Sequence, residues 1–422
     1  MKLRTVAFEL ACLTVIVGVL WILSYVFGRN NMYSAFFDHE SYFKDVLKQH
    51  EKQRISALRA FEDLKQLVSE EKLQTPLFDK GTNLCVAILS MNRQGNFQQS
   101  YLTRLVMSLV KRMDWKREDI SISILNMEPN PAEHMEANEL GKYFRVKVPH
   151  RDTSDISPPE EKHGRSHDLW NETIDYMAAL ETVKQCRYAL VLEDDALAAM
   201  NWDQKIDAVI KELDRKEKVF CVKPYFPYPS LGWESGWRDF ATLGALAVLT
   251  ALLASLIFGT VLYGTRTKPK NSSKMFENQL ERRTLGLSML SPVCTILLFL
   301  NFFEYYHALG RQHVLSPAKG LQERLLGYSL TAALYPQSII SGLIEFYRSY
   351  LKKTPHYRIA TKDVIPYFFL KQAGLKEYVT NPSIFQHCGV HSSLNYKTLL
   401  IELRHFIRAI NFEYDERDIK LE

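Results

Sequence analysis

Three consecutive carboxylates, Glu193, Asp194 and Asp195, follow an apolar run that spans residues 188–192. A short, uninterrupted apolar run is typical of a buried strand. Three acids at one strand end repel one another and lose hydration unless a cation lies among them. Carboxylate oxygens suit a hard divalent ion such as Mg²⁺ or Mn²⁺, which can in turn hold a diphosphate. A solvated acidic turn is the alternative, so the triplet needs support from the rest of the chain.

The elements that must position this triplet alternate between strands and helices. The first half contains predicted strands at 84–90, 120–125, 144–148 and 219–222, and predicted helices at 101–112, 169–183 and 203–214. After residue 304 come a strand at 328–335, helices at 337–350 and 362–372, and a strand at 377–380. Such alternation predicts a parallel, three-layer α/β sheet, in which ligands bind beyond the carboxyl ends of strands. An amphipathic segment at 38–74 predicts a helical stem ahead of this sheet.

Three apolar segments, at 10–27, 240–262 and 285–303, are each close to the roughly 20 residues that span a bilayer. The first ends in aromatic rather than small residues, which favours an uncleaved anchor over a secretory signal peptide. The other two are long and uncharged, which favours a transmembrane hairpin over a helical hairpin buried in a soluble core.

Basic residues predict which sides of these spans are cytosolic. Lys2 and Arg4 precede the first span, and six basic residues against two acidic ones lie between the second and third. The positive-inside rule makes both regions cytosolic, so the remaining chain faces the secretory lumen. The predicted organisation is a cytosolic tail (1–9), an anchor (10–27), a luminal helical stem (28–78), a first domain segment (79–239), a span (240–263), a cytosolic connector (264–284), a span (285–303) and a second domain segment (304–422).

Several motifs in this arrangement resemble those of one enzyme class. They are Asp175-Tyr176 in a helix, the run from Tyr188 to Ala196, Thr361-Lys362-Asp363, and the run from Pro382 to Gly389. Together they resemble GT-A glycosyltransferases, and the last two are similar to motifs of the N-acetylglucosaminyltransferases that branch N-glycans. A hairpin of spans inside the catalytic domain resembles a narrower family, the Golgi GPI-glycan N-acetylgalactosamine transferases of post-GPI-attachment processing. The resemblance implies a GT-A-like, three-layer α/β domain in two segments, split by the hairpin.

The resemblance also implies a chemistry. The donor would be UDP-N-acetylgalactosamine, the cofactor Mn²⁺, the acceptors GPI-anchored proteins in the Golgi membrane, and the reaction inverting, with no nucleic acid as partner. Asp195 and His387 would be metal ligands, although His387 could equally be a structural histidine in a turn. Glu193 departs from a strict Asp-x-Asp motif and could contact the metal, an aqua ligand or the ribose. His391 is a weaker ligand candidate.

Further roles follow from the same resemblance. The nucleotide would contact Ser90, Met91, Asn92 and Arg93 at the end of the first strand, together with Glu193, Asp194 and Asp195. Asp363 would be the general base that takes a proton from the acceptor hydroxyl. Its position near a predicted helix start leaves a second interpretation open, in which Asp363 caps the helix or pairs with its dipole.

Composition limits the alternatives only modestly. The 422 residues are 46% hydrophobic with a net charge of +5, which is compatible with an anionic substrate or a membrane surface. Four of the six cysteines, Cys85, Cys186, Cys221 and Cys388, are predicted to be luminal, which allows three complete disulfide pairings or free core thiols. The competing functions are an N-glycan N-acetylglucosaminyltransferase and a non-catalytic membrane scaffold. A transporter is disfavoured because the predicted spans carry no charge in their interiors.

Overall fold

The computed structural model describes most of the region between residues 39 and 388. The described residues are 39–70, 73, 75–92, 100–111, 113, 117–159, 164–225, 237–264, 296, 299–300, 302–303, 306, 320–323, 330–355 and 358–388. Several predictions therefore lie outside the described residues. They concern the anchor, the cytosolic connector, most of the third span, Arg93 and His391.

The described chain contains ten strands. They are β1 Leu84–Ser90, β2 Ile120–Asn126, β3 Arg145–Lys147, β4 Tyr188–Glu193, β5 Ala196–Ala198, β6 Val219–Lys223, β7 Gly320–Glu323, β8 Ala332–Pro336, β9 Lys376–Asn381 and β10 Phe385–His387. The α-helices of the same residues are α1 His39–Ser69, α2 Tyr101–Val110, α3 Met135–Leu140, α4 Arg165–Val183, α5 Trp202–Leu213, α6 Trp237–Gly264, α7 Gln337–Lys353 and α8 Ile365–Ala373.

Eight strands form one sheet in the order β3-β2-β1-β4-β8-β6-β9-β7. Strands β3, β2, β1 and β4 are mutually parallel, as predicted. Strand β8 is antiparallel to both β4 and β6, and β7 is antiparallel to β9, so the prediction of a wholly parallel sheet is wrong. Parallel pairing requires a crossover connection, usually a helix, between the paired strands. Strand β8 pairs antiparallel with β4 and β6, so these pairings need no such crossover.

Helices cover both faces of this sheet. Along β1, Leu84, Val86 and Ile88 face a core shared with α1, α2 and α5. The alternate residues Cys85 and Ala87 face a second core shared with α4, α7 and α8. This period-two division along a strand that is buried on both sides explains its almost continuously apolar sequence. The predicted three-layer α/β architecture is therefore present, with a mixed sheet at its centre.

The segment predicted as a stem is the long helix α1, and it packs on the sheet domain. Ala57, Ala60, Phe61 and Leu64 recur at helical spacing and are buried in the same core as β1 and α2. At the helix surface, Lys65 Nζ lies 3.2 Å from Glu139 Oε1 on α3. The amphipathic pattern therefore belongs to a helix that packs on the sheet domain. The sequence alone did not show where the apolar face of this helix packs.

The residues fall into two compact units. One comprises Lys44–Ser230 and Ala318–Glu422 and contains the sheet. The other comprises Met1–Phe43 and Leu231–Pro317 and contains α6, where the Thr250 Oγ1 atom lies 2.9 Å from the Tyr306 hydroxyl. Across the described ranges, no helix is long and apolar enough to cross a membrane.

One disulfide is present among the four candidate cysteines, so none of the three complete pairings forms. Cys85 on β1 is bonded to Cys186, which precedes β4, and the bond closes a loop of 101 residues. Cys221 and Cys388 are buried thiols outside any disulfide. The bond joins the two neighbouring parallel strands whose carboxyl ends carry most of the candidate residues.

We expect the Cys85→Ala/Cys186→Ala double variant to lose about 3–5 kcal/mol of unfolding free energy, because a loop of this length is costly to close in the unfolded chain. Thermal or denaturant unfolding of the purified protein measures this loss. Cys221→Ala is the control for removing a buried sulfur without a crosslink. Equal stability of the double variant and this control would contradict the prediction.

Candidate functional site

The acidic triplet lies at the edge of the sheet where β1 and β4 end. Glu193 is the last residue of β4, and Asp194 and Asp195 form the turn into β5. Strand β5 pairs antiparallel with β10, which places His387 opposite Ala196. A residue far along the chain is therefore brought beside the triplet by a two-stranded sheet.

Glu193, Asp195 and His387 form a group that could hold a metal ion. Each offers one ligand atom, and these atoms lie within 4.8 Å of one another. The Nε2 atom of His387 is 3.1 Å from Asp195 Oδ2, and the backbone N–H of Cys388 donates to the Asp195 carbonyl at 2.7 Å. Two carboxylates and an imidazole suit Mn²⁺ or Mg²⁺, which take mainly oxygen ligands. These three residues therefore fit the metal that the sequence predicted.

Glu193 has a second partner. Lys362 Nζ lies 2.7 Å from Glu193 Oε1 and 3.9 Å from Glu172 Oε1 on α4. Burial lowers the pKa of Lys362, but the carboxylates of Glu193, Glu172 and Asp363 raise it more, so the ammonium stays charged. Burial raises the pKa of Glu172. Sequence reasoning missed the roles of Lys362 and Glu172, because their charges are paired only by tertiary contact.

Asp194 joins the end of β4 to the end of β1. Its Oδ2 atom accepts hydrogen bonds from Ser90 Oγ at 3.0 Å and from the Met91 backbone N–H at 3.4 Å. The carboxylate is buried, and these donors replace part of its lost hydration. Of the predicted nucleotide contacts, the structure thus brings Ser90 and Met91 to the triplet. Asn92 instead donates its backbone N–H to Glu128 Oε1 at 2.5 Å.

His134 extends this hydrogen-bond chain. Its Nδ1 atom accepts from the Ala137 backbone N–H at 3.4 Å, so the proton of the neutral ring is on Nε2. Nε2 lies 2.8 Å from Ser90 Oγ and donates to it, which leaves the Ser90 hydroxyl proton for Asp194. Burial lowers the pKa of His134 to about 4, so the ring is neutral at physiological pH. No sequence pattern marked His134, since it acts only through a residue 44 positions away.

Asp363 lies just before α8, and the structure bears on one of its two interpretations, the helix cap. Helix α8 begins at Ile365 with Val364 as N-cap, and no side-chain hydrogen bond caps it. Asp363 Oδ1 is buried and accepts no hydrogen bond within the described part of the chain. Burial raises the pKa of Asp363, and Glu193 raises it further, while Lys362, Lys223 and His387 lower it. The structure therefore gives no support to a capping role, and the role of general base stays a prediction.

Residues at the end of β6 and just after it lie near the Glu193, Asp195 and His387 group. The ring of Tyr225 stacks on His387 with centroids 6.2 Å apart and an angle of 26° between the planes. Burial raises the pKa of Tyr225, which keeps its hydroxyl protonated. Lys223 and Glu377 form a buried ion pair at 3.1 Å between β6 and β9. Sequence reasoning did not identify these three residues, since isolated aromatic and charged residues carry no spacing signal.

The neutral, buried His134 predicts acid sensitivity. Its pKa is about 4 in the folded protein and about 6.5 when unfolded, so the unfolded state binds more protons between these values. The stability contribution is therefore complete above pH 6.5 and is lost as the pH falls towards 4. At pH 5 we expect the loss from this residue to be about 2 kcal/mol.

The measurement is thermal unfolding between pH 7 and pH 5 for wild type, His134→Gln and His150→Gln. Glutamine at position 134 keeps an N–H donor but does not titrate, so that variant should lose less stability on acidification. The exposed His150 serves as the matched control. Equal acid sensitivity of all three proteins would refute the role of His134.

A family model described as GPI-N-acetylgalactosamine transferase PGAP4 matches residues 84–386, a range that includes the acidic triplet and Asp363. A search of curated proteins finds no match. Solved structures that match include the mannosyltransferase PcManGT from Pyrobaculum calidifontis in complex with GDP-Man and Mn²⁺, with 14% sequence identity and a TM-score of 0.21.

That alignment covers 45% of this chain and 48% of the mannosyltransferase, so the chain spans about half the length of that structure. A similarity at this level supports no functional argument. The family match, in contrast, covers well over half of the chain and confirms the resemblance seen in the sequence motifs. The chain therefore belongs to the GPI-N-acetylgalactosamine transferase family PGAP4.

Proposed function

We propose that this protein transfers N-acetylgalactosamine from UDP-N-acetylgalactosamine to the mannose core of GPI anchors in a metal-dependent, inverting reaction. The observation that carries the proposal is the group formed by Glu193, Asp195 and His387 at the carboxyl ends of the sheet strands. Such a group suits a nucleotide-sugar diphosphate chelated by a divalent metal. The family match supplies the substrate class.

Asp195, His387 and Glu193 would hold Mn²⁺, which when bound neutralises charge on the departing diphosphate. Lys362 fixes the Glu193 side chain through its 2.7 Å contact. Ser90 and Met91 fix Asp194 at the end of β1, where the nucleotide of the donor would lie. Glu193 and Asp195 would therefore share the metal, while Asp194 would join the metal site to the nucleotide side of the sheet edge.

Asp363 would take the proton of the acceptor hydroxyl. As that oxygen forms a bond to the anomeric carbon of the sugar, the bond from this carbon to the diphosphate oxygen breaks, and UDP leaves with the electron pair. A single displacement of this kind converts an α-linked donor into a β-linked product. The position of Asp363 next to Lys362, which contacts Glu193, supports this role. The Tyr347 hydroxyl donates to the Lys362 carbonyl at 2.8 Å and holds the segment in place.

We expect Asp363→Asn to lower kcat for transfer by about 10²–10⁴-fold, which is the usual contribution of a general base. Binding of UDP and Mn²⁺ should change little, because the metal group is intact. Asp195→Asn should instead abolish both binding and transfer. The readouts are calorimetric titration with UDP and Mn²⁺, and transfer from UDP-N-acetylgalactosamine to a GPI-glycan acceptor.

Glu345→Gln is the control, because Glu345 is an exposed carboxylate on α7 that has no assigned role in the site. Full activity of Asp195→Asn, or activity that is unaffected by chelators, would refute the metal assignment. A donor screen in the same assay separates this function from an N-acetylglucosaminyltransferase. Absence of both hydrolysis and transfer with every nucleotide sugar would favour the non-catalytic scaffold.

We also propose that the enzyme resides in the Golgi membrane with a luminal site. The apolar segments at 10–27, 240–263 and 285–303 support this topology, as do the basic residues that lie between the last two. Two spans inserted within the chain would keep the catalytic domain near lipid-borne GPI acceptors.

In sealed microsomes, a tag within residues 264–284 should be digested by added protease, and a tag at the C-terminus should be spared. The reason is that the positive-inside rule places the basic connector in the cytosol. Detergent-permeabilised microsomes are the control, since both tags should then be digested. Protection of the connector and digestion of the C-terminal tag would exclude a luminal active site.

A further inference from the structure

Arg104 is a buried cation with few partners. It lies in the first turn of α2, and only 1% of its surface is exposed. Its Nη2 atom donates to Gln53 Oε1 on α1 at 2.7 Å, but Nε and Nη1 are buried and make no hydrogen bond with the described residues. The nearby Glu51 directs its carboxylate to Arg54 instead.

A guanidinium in this state is costly for a folded protein. Burying a charge without hydrogen bonds and a counter-ion costs several kcal/mol. Arg117 shows the usual solution, because it hydrogen-bonds to both Asp119 and Asp207. Arg104 has no carboxylate within ion-pair distance among the residues that the structure covers. This difference indicates that Arg104 meets its anion in a substrate.

The guanidinium lies on the side of the domain that carries the metal group. Its central carbon is 5.7 Å from the centroid of the Tyr101 ring, and Tyr101 packs with Leu197 and Cys388. Cys388 directly follows His387 and holds the Asp195 carbonyl through its backbone N–H. Arg104 is therefore connected to two of the three metal-group residues through the contacts of Tyr101 and Cys388.

His50 on α1 adds to this positive region. Burial, with a smaller contribution from the charge of Arg104 and from His387, lowers the pKa of His50 to about 3. The ring is therefore close enough to Arg104 to feel its charge, and its Nδ1 atom makes no hydrogen bond with the described residues. A neutral His50 can supply a hydrogen bond at this place without adding a second buried charge.

We infer that Arg104 binds a phosphate group of a substrate beside the metal group, and that helix α1 positions Arg104 for this through Gln53. Phosphate is the expected anion because a guanidinium forms strong, charge-assisted hydrogen bonds with it. The inference rests on the proposed function for the source of the phosphate, which is either the donor diphosphate or the phosphodiester of the acceptor. It makes α1 part of the substrate site as well as a docked stem.

The experiment uses the full-length, detergent-purified protein and three probes. UDP with Mn²⁺ and inorganic pyrophosphate with Mn²⁺ represent the donor, and glycerophosphoinositol without metal represents the acceptor phosphodiester. The variants are Arg104→Met, Arg104→Lys and, as the matched control for a paired arginine, Arg117→Met. Unfolding temperature without ligand and probe affinity are measured for each.

We expect Arg104→Met to bind one class of phosphate probe about 10–100-fold more weakly, with an unfolding temperature no lower than that of wild type. This combination arises because removing a charge that lacks a partner relieves a cost in the free protein. Arg104→Lys should retain part of the affinity. Arg117→Met should unfold at lower temperature and bind normally. If Arg104→Met does not fold, Gln53→Ala tests the same contact, with Gln66→Ala on the exposed face of α1 as its control.

The outcomes separate the inference from the proposed function. Weaker binding of UDP and pyrophosphate places the phosphate on the donor, and weaker binding of glycerophosphoinositol alone places it on the acceptor. Pyrophosphate binding that depends on Arg104, in a protein that does not bind UDP, would support the inference and contradict the proposed donor. Wild-type affinity for all three probes in Arg104→Met would overturn the inference, as would a destabilised variant with normal binding.

Discussion

The site depends on the separation of three adjacent negative charges at one strand end. Glu193 faces Lys362, Asp194 accepts from Ser90, and Asp195 contacts His387. The chain leaves β4 at Glu193 and turns at Asp194 and Asp195 into β5, so the three acids do not follow one another along a single strand. Without distinct partners, mutual repulsion and lost hydration would disfavour three adjacent carboxylates at this place. The three partners come from different strands and loops, so the triplet is stable only in the complete domain.

The mixed sheet supplies those partners. Parallel strands β1 and β4 bring Ser90 and the triplet to one edge. Antiparallel β8 has its amino-terminal end at the same edge, where the Glu193 backbone N–H donates to the Thr331 carbonyl at 3.0 Å. The chain that follows β8 leads through α7 to Lys362 and Asp363. Reversal of one strand therefore allows the later part of the chain to return to the site.

Several buried or half-buried charges lie near this edge. Lys223 pairs with Glu377, and Lys362 pairs with Glu193 and Glu172. Replacing such pairs with apolar residues often leaves proteins as stable or more stable, so buried pairs are weak evidence of a stabilising role. Among the described residues, the Arg104 side chain has the Gln53 amide as its one hydrogen-bond acceptor, which makes it the extreme member of this set. Functional sites commonly retain groups of this kind at a cost in stability.

The sequence by itself determined most of the elements and one part of the site, but it did not mark the short strands β5, β7 and β10 or the short helix α3. Period-two and uninterrupted apolar runs marked β1, β2 and β4, and the acid triplet at a strand end marked the place where a metal is expected, because both signals are local. Asp363 and His387 were also identified, but through a family resemblance rather than from their own spacing.

Only the tertiary structure decided how the site is completed. The antiparallel direction of β8, the pairing of β5 with β10, and the contacts of His134, Lys362 and Arg104 join residues that are distant in sequence. Such contacts depend on which surfaces pack together and on which buried charges find partners. Neither property produces a periodic pattern in the sequence. The same reason explains the choice of Cys85 and Cys186 from among four candidate cysteines, since a disulfide requires neighbouring strands to place the two sulfurs together.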